Sequence, residues 1–214
     1  MERDIKMCKI LGYGEDAFTL WALKQCTCDI LKSFQDKTSP SDCLIFYRPS
    51  FGRSGGEKSA EFGEFDAILT SLENIYLIES KWDNLSSFQD DEIVIMREQE
   101  MRHRIFSWYI MHWDKKYFND WESFVKEQIS DFQENFRNRR IAPASSILAT
   151  NLQFILTTLR KQCRNLLSED NIKNVLVFFY NKNKSTPPTK VSWKGFKLLC
   201  MDYSPEVTGN YISI

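Results

Sequence analysis

The sequence predicts an α/β protein in which helices pack against one mixed β-sheet. A first long segment has apolar residues at helical spacing, and short apolar runs rich in β-branched residues follow it. Further helical segments then precede two last strands. The resulting order of helix, three strands, helices, strand and strand is typical of a mixed sheet that is covered by helices.

Each element has its own signal. Residues 15–35 predict a helix, because their apolar side chains recur every three or four positions. Residues 43–47 are a short apolar run that predicts a strand, and the Gly/Ser-rich residues 50–61 predict a loop. Residues 63–69 and 75–82 predict two paired strands joined across a polar break. The remaining elements are helices at about 90–112, 116–137 and 145–167 and strands at about 175–180 and 196–201.

The composition sets limits on the class of protein. The 214 residues suffice for one domain with a substantial core, and a hydrophobic content of 43% argues against disorder. The net charge of −1 argues against a large passive DNA-binding protein, but not against an enzyme with a local basic groove. The cysteines lack zinc-site spacing, so we expect reduced thiols. Because the sequence has neither a signal-peptide pattern nor a long apolar run, we expect a soluble, cytoplasmic protein.

Three charged residues interrupt the two paired strands, which are otherwise apolar. They are Asp66, Glu79 and Lys81. Successive strand side chains alternate between faces, so Glu79 and Lys81 share one face while Ser80 points away from it. Burying such residues without partners is costly, which indicates that they have a function.

The expected register brings two of these carboxylates together. If residues 71–74 close a four-residue loop, Thr70 lies opposite Ile75 and Asp66 lies opposite Glu79. The same count places Glu64 opposite Lys81. Two opposed carboxylates repel unless a cation bridges them or one is protonated. A hard divalent ion, which prefers oxygen ligands, is the natural bridging cation. The alternative interpretation is an edge hairpin whose polar face meets water, with an ordinary Glu64–Lys81 pair.

Asp66, followed after twelve residues by Glu79-Ser80-Lys81, resembles the signature of the PD-(D/E)XK nuclease superfamily. This superfamily comprises restriction endonucleases, repair nucleases and related phage-defence effectors. The resemblance implies a restriction-endonuclease-like αβββαβ core in a single nuclease-like domain, residues 1–214, with an extra helical insertion at about 114–168. Phe65 stands where the superfamily often has a proline.

The resemblance also implies a metal site. Mg²⁺, with Mn²⁺ as a substitute, is expected to bind Asp66, Glu79, the carbonyl oxygen of Ser80 and Glu15 from the first helix. Lys81 is expected to assist the attacking water. Glu15 has an equally good alternative explanation, because a carboxylate near a helix N-terminus is favoured by the helix dipole.

The helix after the third strand is expected to supply a polar residue near this site, either Gln99 or Arg102. A solvated helix face, with neighbouring glutamates paired to arginines, is the favoured alternative. His103 and His112 are nine residues apart, which is not the spacing of a paired metal site, so we expect them to be structural or surface residues. Asp16 is a weaker substitute for Glu15.

Clusters of basic residues indicate where a nucleic acid would lie. No Asp or Glu occurs between residues 171 and 201, a stretch that carries several lysines together with Trp193 and Phe196. Lysines supply phosphate contacts and aromatic rings stack on unpaired bases, although a solvated surface explains each cluster about as well. The residues predicted to bind nucleic acid are Arg53, Lys58, Lys182, Lys184, Lys190 and Lys194.

The expected function is therefore that of a Mg²⁺-dependent endonuclease that hydrolyses DNA phosphodiester bonds in restriction or phage defence. DNA is the expected partner, and the small size favours a homodimer or an ATPase or helicase partner that supplies specificity. The alternative is a non-catalytic nucleic-acid-binding or scaffold protein with the same fold. No membrane association is expected.

Overall fold

The computed structural model describes residues 9–51, 63–83, 88–89, 91–114, 116–118, 120–137, 139–163 and 168–214. Among these residues the chain forms five α-helices: α1 Glu15–Gln25, α2 Thr27–Ser33, α3 Arg97–His112, α4 Trp121–Asn135 and α5 Ile147–Gln162. The strands are β1 Leu11–Gly12, β2 Leu44–Tyr47, β3 Ser50–Phe51, β4 Gly63–Glu64, β5 Ala67–Thr70, β6 Ile75–Trp82, β7 Phe88–Gln89, β8 Glu92–Ile93, β9 Ile172–Tyr180, β10 Lys190–Val191, β11 Phe196–Asp202, β12 Val207–Thr208 and β13 Tyr211–Ser213.

A five-stranded mixed sheet forms the centre of the molecule, in the order β11-β9-β6-β5-β2. Strands β2, β5 and β6 are antiparallel neighbours, whereas β9 and β11 run parallel to β6. The hairpin register is the predicted one, since Thr70 pairs with Ile75. The α/β fold class with a mixed sheet is therefore confirmed.

The two faces of the sheet are buried against different helices. On one face, Tyr76 and Ile78 pack with Phe18 and Leu31 of α1 and α2. On the other face, Leu77 belongs to the large cluster that α3, α4 and α5 complete. The alternation along β6 therefore assigns Glu79 and Lys81 to the α3 face, and Ser80 and Trp82 to the α1 face.

The first predicted helix is two helices in the structure. Cys26 has non-helical dihedral angles, and α2 begins directly after it. The Thr27 hydroxyl donates a hydrogen bond of 2.5 Å to the Leu23 carbonyl oxygen, a side-chain bond that bends helices. The CxC segment therefore lies at a helix junction, where Cys26 and Cys28 are free thiols.

The predicted strand at 63–69 is also divided. β4 pairs with β3, so that Glu64 lies opposite Ser50 and not opposite Lys81 as predicted. Between β4 and β5, Phe65 is fully buried in the α3-side cluster, and its burial competes with a straight strand. The predicted Glu64–Lys81 cross-strand pair is wrong for this reason.

The helix predicted from residue 90 begins only at Arg97. Residues 92 and 93 form β8, which pairs in parallel with β10 far along the chain. The Met96 N–H donates to the Gln99 side-chain oxygen at 3.1 Å, which fixes the start of α3. A local helical pattern is overridden here by a tertiary strand pairing.

Helices α4 and α5 lie within the predicted insertion range of about 114–168. Asp120 and Ser146 cap the N-termini of these helices, because each side chain accepts a hydrogen bond from the backbone N–H three residues later. Aromatic residues of this region, including Trp113 and Trp121, are buried in the core as the simplest interpretation predicts. Tyr117 is the exception at 82% exposed. Among the described residues, no helix combines the length and apolar character needed to cross a membrane.

Candidate functional site

The open end of the β5–β6 hairpin carries the predicted acidic residues. Asp66 directly precedes Ala67, the first residue of β5, which lies opposite Ile78. The Asp66 carboxylate accepts a hydrogen bond of 2.7 Å from the Ser80 backbone N–H. This contact joins the two strands beyond their ladder and holds Asp66 beside Glu79.

Glu79 is almost fully buried, at 2% exposure, and α3 surrounds it with donors. Arg102 Nη1 donates to its Oε1 at 2.6 Å, and Gln99 Nε2 donates to its Oε2 at 3.0 Å. His103 Nε2 lies 3.4 Å from Oε1. Burial by itself raises the pKa of Glu79, but His103 and the Arg102 guanidinium reverse this effect, so its pKa lies below the usual value.

Lys81 connects this hairpin end to α1. Its ammonium donates to the Ser80 carbonyl oxygen at 2.8 Å and lies 3.8 Å from the Glu15 carboxylate. The Lys81 side chain is 18% exposed, so the pair is largely shielded from water. The carbonyl oxygen that was predicted to be a metal ligand thus faces an ammonium group.

The electrostatics of the cluster are those of crowded carboxylates. Burial and then the Glu79 charge raise the pKa of Asp66 to about 7, although the Ser80 N–H and Lys81 oppose the shift. Burial also raises the pKa of Glu15, with Lys81 opposing and Glu79 reinforcing it. Positive charge from Lys81 therefore does not balance the buried negative charge at this end of the sheet.

The neighbouring acidic residues have partners of their own. Arg48 pairs with the carboxylate of Asp16 and lies 3.0 Å from that of Glu64. The Arg102 guanidinium also donates to the backbone carbonyl of Glu64. Asp16 is therefore held by Arg48, whereas Glu15, one residue earlier, faces Lys81.

The chemistry of the donors suits a hard divalent ion, but their arrangement does not form a ready cage. Carboxylate and carbonyl oxygens are the ligands that Mg²⁺ prefers. Among the described residues, however, no group of three or more His, Cys, Asp or Glu side chains is placed to hold a metal ion. The physical reason is that both Glu79 oxygens are turned toward Arg102 and Gln99. Binding through Glu79 requires its carboxylate to share these donors or to rotate away from them.

The predicted nucleic-acid residues are only partly described. Arg53 and Lys58 lie outside the described residues. Lys182, Lys184, Lys190 and Lys194 are all exposed. Lys182 pairs with Asp202 at 3.3 Å.

Basic residues also line a cleft at one end of α3. The cleft, of about 350 Å³, lies between α3 and the C-terminal end of α4 and includes Arg97, Arg137 and Arg139. Arg97 is the first residue of the helix whose Gln99 and Arg102 contact Glu79. The cleft and the acidic cluster therefore share α3, and the lining of the cleft also contains Glu98 and Glu134.

His103 and Asn174 are site residues that the sequence interpretation missed. His103 is fully buried, and its Nδ1 lies 2.7 Å from the Asn174 side-chain oxygen. The other ring nitrogen faces Glu79, so the histidine links β9 to β6. Gln99, Arg102 and His103 lie three and four positions apart, which places them on one helix face. This spacing is the signal in the sequence that the three side chains share a face, but it does not identify Glu79 as the residue that they contact.

Comparison of the chain with models of known protein families gives no significant match, and neither do comparisons with curated proteins or with solved structures.

Proposed function

We propose that the protein is a Mg²⁺-dependent endonuclease of the PD-(D/E)XK superfamily that hydrolyses DNA phosphodiester bonds. One observation carries the proposal: three carboxylates and an ammonium group meet at the open end of the β5–β6 hairpin. These groups belong to Glu15, Asp66, Glu79 and Lys81. Natural sequences avoid leaving such charges buried without a function.

The topology supports the family assignment. A helix precedes three antiparallel strands, β2, β5 and β6, and α3 then precedes β9, which is parallel to β6. This is the order of the αβββαβ core, with α4 and α5 as the helical insertion. Asp66 directly precedes the second of these strands, and Glu79 and Lys81 lie on the third, an arrangement that supports the resemblance to the superfamily signature.

Asp66, Glu79, the Ser80 carbonyl and Glu15 are the residues that would hold the metal. The raised pKa values of Asp66 and Glu15 fit a site whose negative charge a cation would compensate. Bound Mg²⁺ supplies an activated water and shields charge on the attacked phosphate.

The chain's own residues have separable roles in this proposal. Lys81 holds the attacking water or offsets charge on the phosphate, because its ammonium lies at the site and is largely shielded from water. Arg102 and Gln99 position Glu79. The exposed lysines Lys182, Lys184, Lys190 and Lys194, with the arginine-lined cleft, supply phosphate contacts. Within this proposal the setting is a cytoplasmic restriction or phage-defence system, in which a homodimer or an ATPase or helicase partner supplies specificity.

A second function has its own supporting observation. Both Glu79 oxygens already have protein donors, which is how a buried structural carboxylate is satisfied. A non-catalytic nucleic-acid-binding or scaffold protein with the same fold accounts for this contact. It leaves unexplained why the Asp66 carboxylate accepts only one hydrogen bond from the described residues and has two other carboxylates as neighbours.

Cleavage of supercoiled plasmid in Mg²⁺ buffer tests the proposal. We expect nicking or linearisation by the wild type and a loss of at least about a hundredfold in Lys81→Ala, because a group at the reacting phosphate is removed. Lys24→Ala is the matched control, since Lys24 is an exposed lysine in the last turn of α1. Equal cleavage by Lys81→Ala and Lys24→Ala would overturn the proposed site. No cleavage in Mg²⁺ or Mn²⁺ by the wild type would favour the scaffold.

A further inference from the structure

A cavity of about 300 Å³ opens at the end of β6, on the face opposite Glu79; we call it the edge cavity. It is lined by Tyr13, Trp82, Asp83, Lys184 and Tyr203, among others. Its volume lies at the lower end of the range of about 300–1,000 Å³ that small-molecule sites occupy. The C-terminal end of parallel strands is also the usual place for ligands in open α/β sheets.

Four of the residues that line the edge cavity are aromatic: Tyr13, Phe18, Trp82 and Tyr203. Tyr13 is 56% exposed, and its ring lies 5.7 Å from that of Trp82 in an edge-on arrangement. Phe18 stacks on Tyr203 at 4.4 Å and packs against the other side of Trp82 at 5.4 Å. Trp82 is therefore held in place by the core. The Tyr13 ring also contacts that of Tyr211, with centroids 5.8 Å apart, and its exposed part is accessible to a flat ligand.

The polar floor of the cavity is centred on one hydrogen-bonded carboxylate, that of Asp83. The Asp83 carboxylate accepts hydrogen bonds from Tyr203 at 2.7 Å, Ser185 at 2.6 Å and the Asn181 backbone N–H at 2.8 Å. Lys184 at the rim is exposed and forms no ion pair with any other described residue. The cavity thus offers aromatic rings, a hydrogen-bonded carboxylate and, at its rim, an exposed ammonium group.

The edge cavity is continuous with the proposed catalytic residues along two chain segments. Tyr13 precedes Glu15 by two residues, and Trp82 directly follows Lys81. The Lys81–Glu15 contact of 3.8 Å joins these same segments around the end of the sheet. A strand of nucleic acid whose phosphate reaches Lys81 can therefore place a neighbouring base in the cavity.

We propose that the edge cavity binds an unpaired nucleobase of single-stranded DNA, which stacks on the Tyr13 ring that Trp82 supports edge-on, while its phosphate contacts Lys184. This inference rests on the proposed function and gives it a substrate class: DNA that is unpaired next to the cleaved bond. Stacking on aromatic rings accepts any base, because every base has a π-face. A base in a duplex cannot enter, since its faces are already covered by its neighbours.

Fluorescence anisotropy with a short labelled oligothymidine, and with a duplex of equal length, tests the inference in Mg²⁺-free buffer. Tyr13→Ala is expected to weaken binding of the single strand by at least about fivefold, the lower end of the effect of losing one stacked base, and to leave duplex binding unchanged. Tyr13→Phe should restore single-strand binding. Tyr117→Ala is the matched control, because Tyr117 is an exposed tyrosine of the helical insertion.

A crosslinking measurement keeps the inference testable if a substitution disturbs folding. An oligonucleotide that contains 5-iododeoxyuridine should crosslink, on irradiation of the wild type, to peptides that contain Tyr13 or Trp82. Crosslinks only at other peptides, or equal losses for Tyr13→Ala and Tyr117→Ala, would overturn the inference. Plasmid cleavage is not a readout here, so the two proposals can fail separately. Single-strand binding at Tyr13 without any cleavage would contradict the proposed nuclease function and support the proposed binding of a base in the edge cavity.

Discussion

Asp36 and Asp66 lie at opposite ends of the β5–β6 hairpin and are in opposite electrostatic states. Asp36 lies against the closed end, where it is 6% exposed and accepts four hydrogen bonds. The donors are Thr38 N–H at 2.9 Å, Ser71 Oγ at 2.5 Å, Asn74 Nδ2 at 2.9 Å and Tyr76 OH at 2.7 Å. Asp66 lies at the open end, where its carboxylate accepts one hydrogen bond from the described residues and has Glu79 and Glu15 as neighbours.

The pKa values express this difference. Burial raises the pKa of Asp36, but the hydrogen bonds outweigh it and lower the pKa to about 2. Burial and the Glu79 charge raise the pKa of Asp66 to about 7. An aspartate thus stabilises the closed end of the hairpin through its hydrogen bonds, whereas another aspartate is an unfavourable charge at the open end. Unfavourable charges of this kind concentrate at functional sites, which is why the open end is the better candidate for chemistry.

Replacing each aspartate by asparagine is the most direct way to break this comparison. Asp36→Asn should lower the free energy of unfolding by about 3 kcal/mol at pH 7, because an amide replaces an acceptor of four donors and leaves buried groups unpaired. Chemical denaturation measures the change. Asp42→Asn is the control, since Asp42 is an exposed aspartate. A loss below about 1 kcal/mol would mean that the closed end is not anchored by Asp36.

Asp66→Asn should have the opposite effect at alkaline pH. The pKa of Asp66 is higher in the folded state than the usual aspartate value of 3.8, so the folded state binds the extra proton. The stability contributed by Asp66 is therefore fully present below about pH 4 and is lost as the pH rises through about 7. At pH 8 and without metal, the asparagine variant should be more stable than the wild type by about 1–2 kcal/mol, and at pH 5 the two should differ little.

The measurement is thermal or chemical unfolding of wild type and Asp66→Asn at several pH values in EDTA. Asp36 sets the opposite pH dependence, since its lowered pKa gives a contribution that is present above about pH 4 and lost as the pH falls through about 2. A large loss of stability in Asp66→Asn at pH 8 would show that Asp66 is structural. In that case the contrast between the two ends would disappear.

Adding Mg²⁺ should sharpen the contrast. The ion should stabilise the wild type by about 1.4 kcal/mol at ten times its dissociation constant, and more strongly at pH 8 than at pH 6, because protons compete for Asp66. The response should be lost in Asp66→Asn and kept in the exposed control Asp42→Asn. Calorimetric titration of Mg²⁺ gives the same result independently. A Mg²⁺ response that survives Asp66→Asn would place any metal elsewhere.

The fold was predictable from the sequence wherever the pattern is local and strong. Residues 75–82 are a strand because eight mostly apolar residues are buried between two helical layers, and the four-residue loop sets the predicted register. What failed was decided at long range. Residues 92–93 leave a helical pattern to pair with β10, and Glu64 leaves β6 to pair with β3. No local periodicity encodes these pairings.

The candidate site was predictable in part for a similar reason. Counting residues outward from the hairpin loop predicts that Asp66 lies beside Glu79. The positions of Lys81 near the end of β6 and of Glu15 at the start of α1 predict that these two side chains lie close together. His103 was not found, because its role depends on α3 lying over β6 and β9 at one particular rotation. Its contact with Asn174 joins residues that are 71 positions apart. Such contacts depend on how layers pack and not on spacing within one element.

Tyr76→Phe gives the smallest expected effect and tests whether the closed end acts as one network. The variant removes a single hydroxyl that donates to Asp36 at 2.7 Å and keeps the buried ring, which packs edge-on against Phe34 at 5.2 Å. We expect a loss of about 1 kcal/mol, the usual net value of one hydrogen bond. Combined with Asp36→Asn, its further effect should be smaller than this, because the bond is already weakened. Additive losses would mean that Tyr76 and Asp36 act independently, and that the closed end is stabilised by packing more than by its carboxylate.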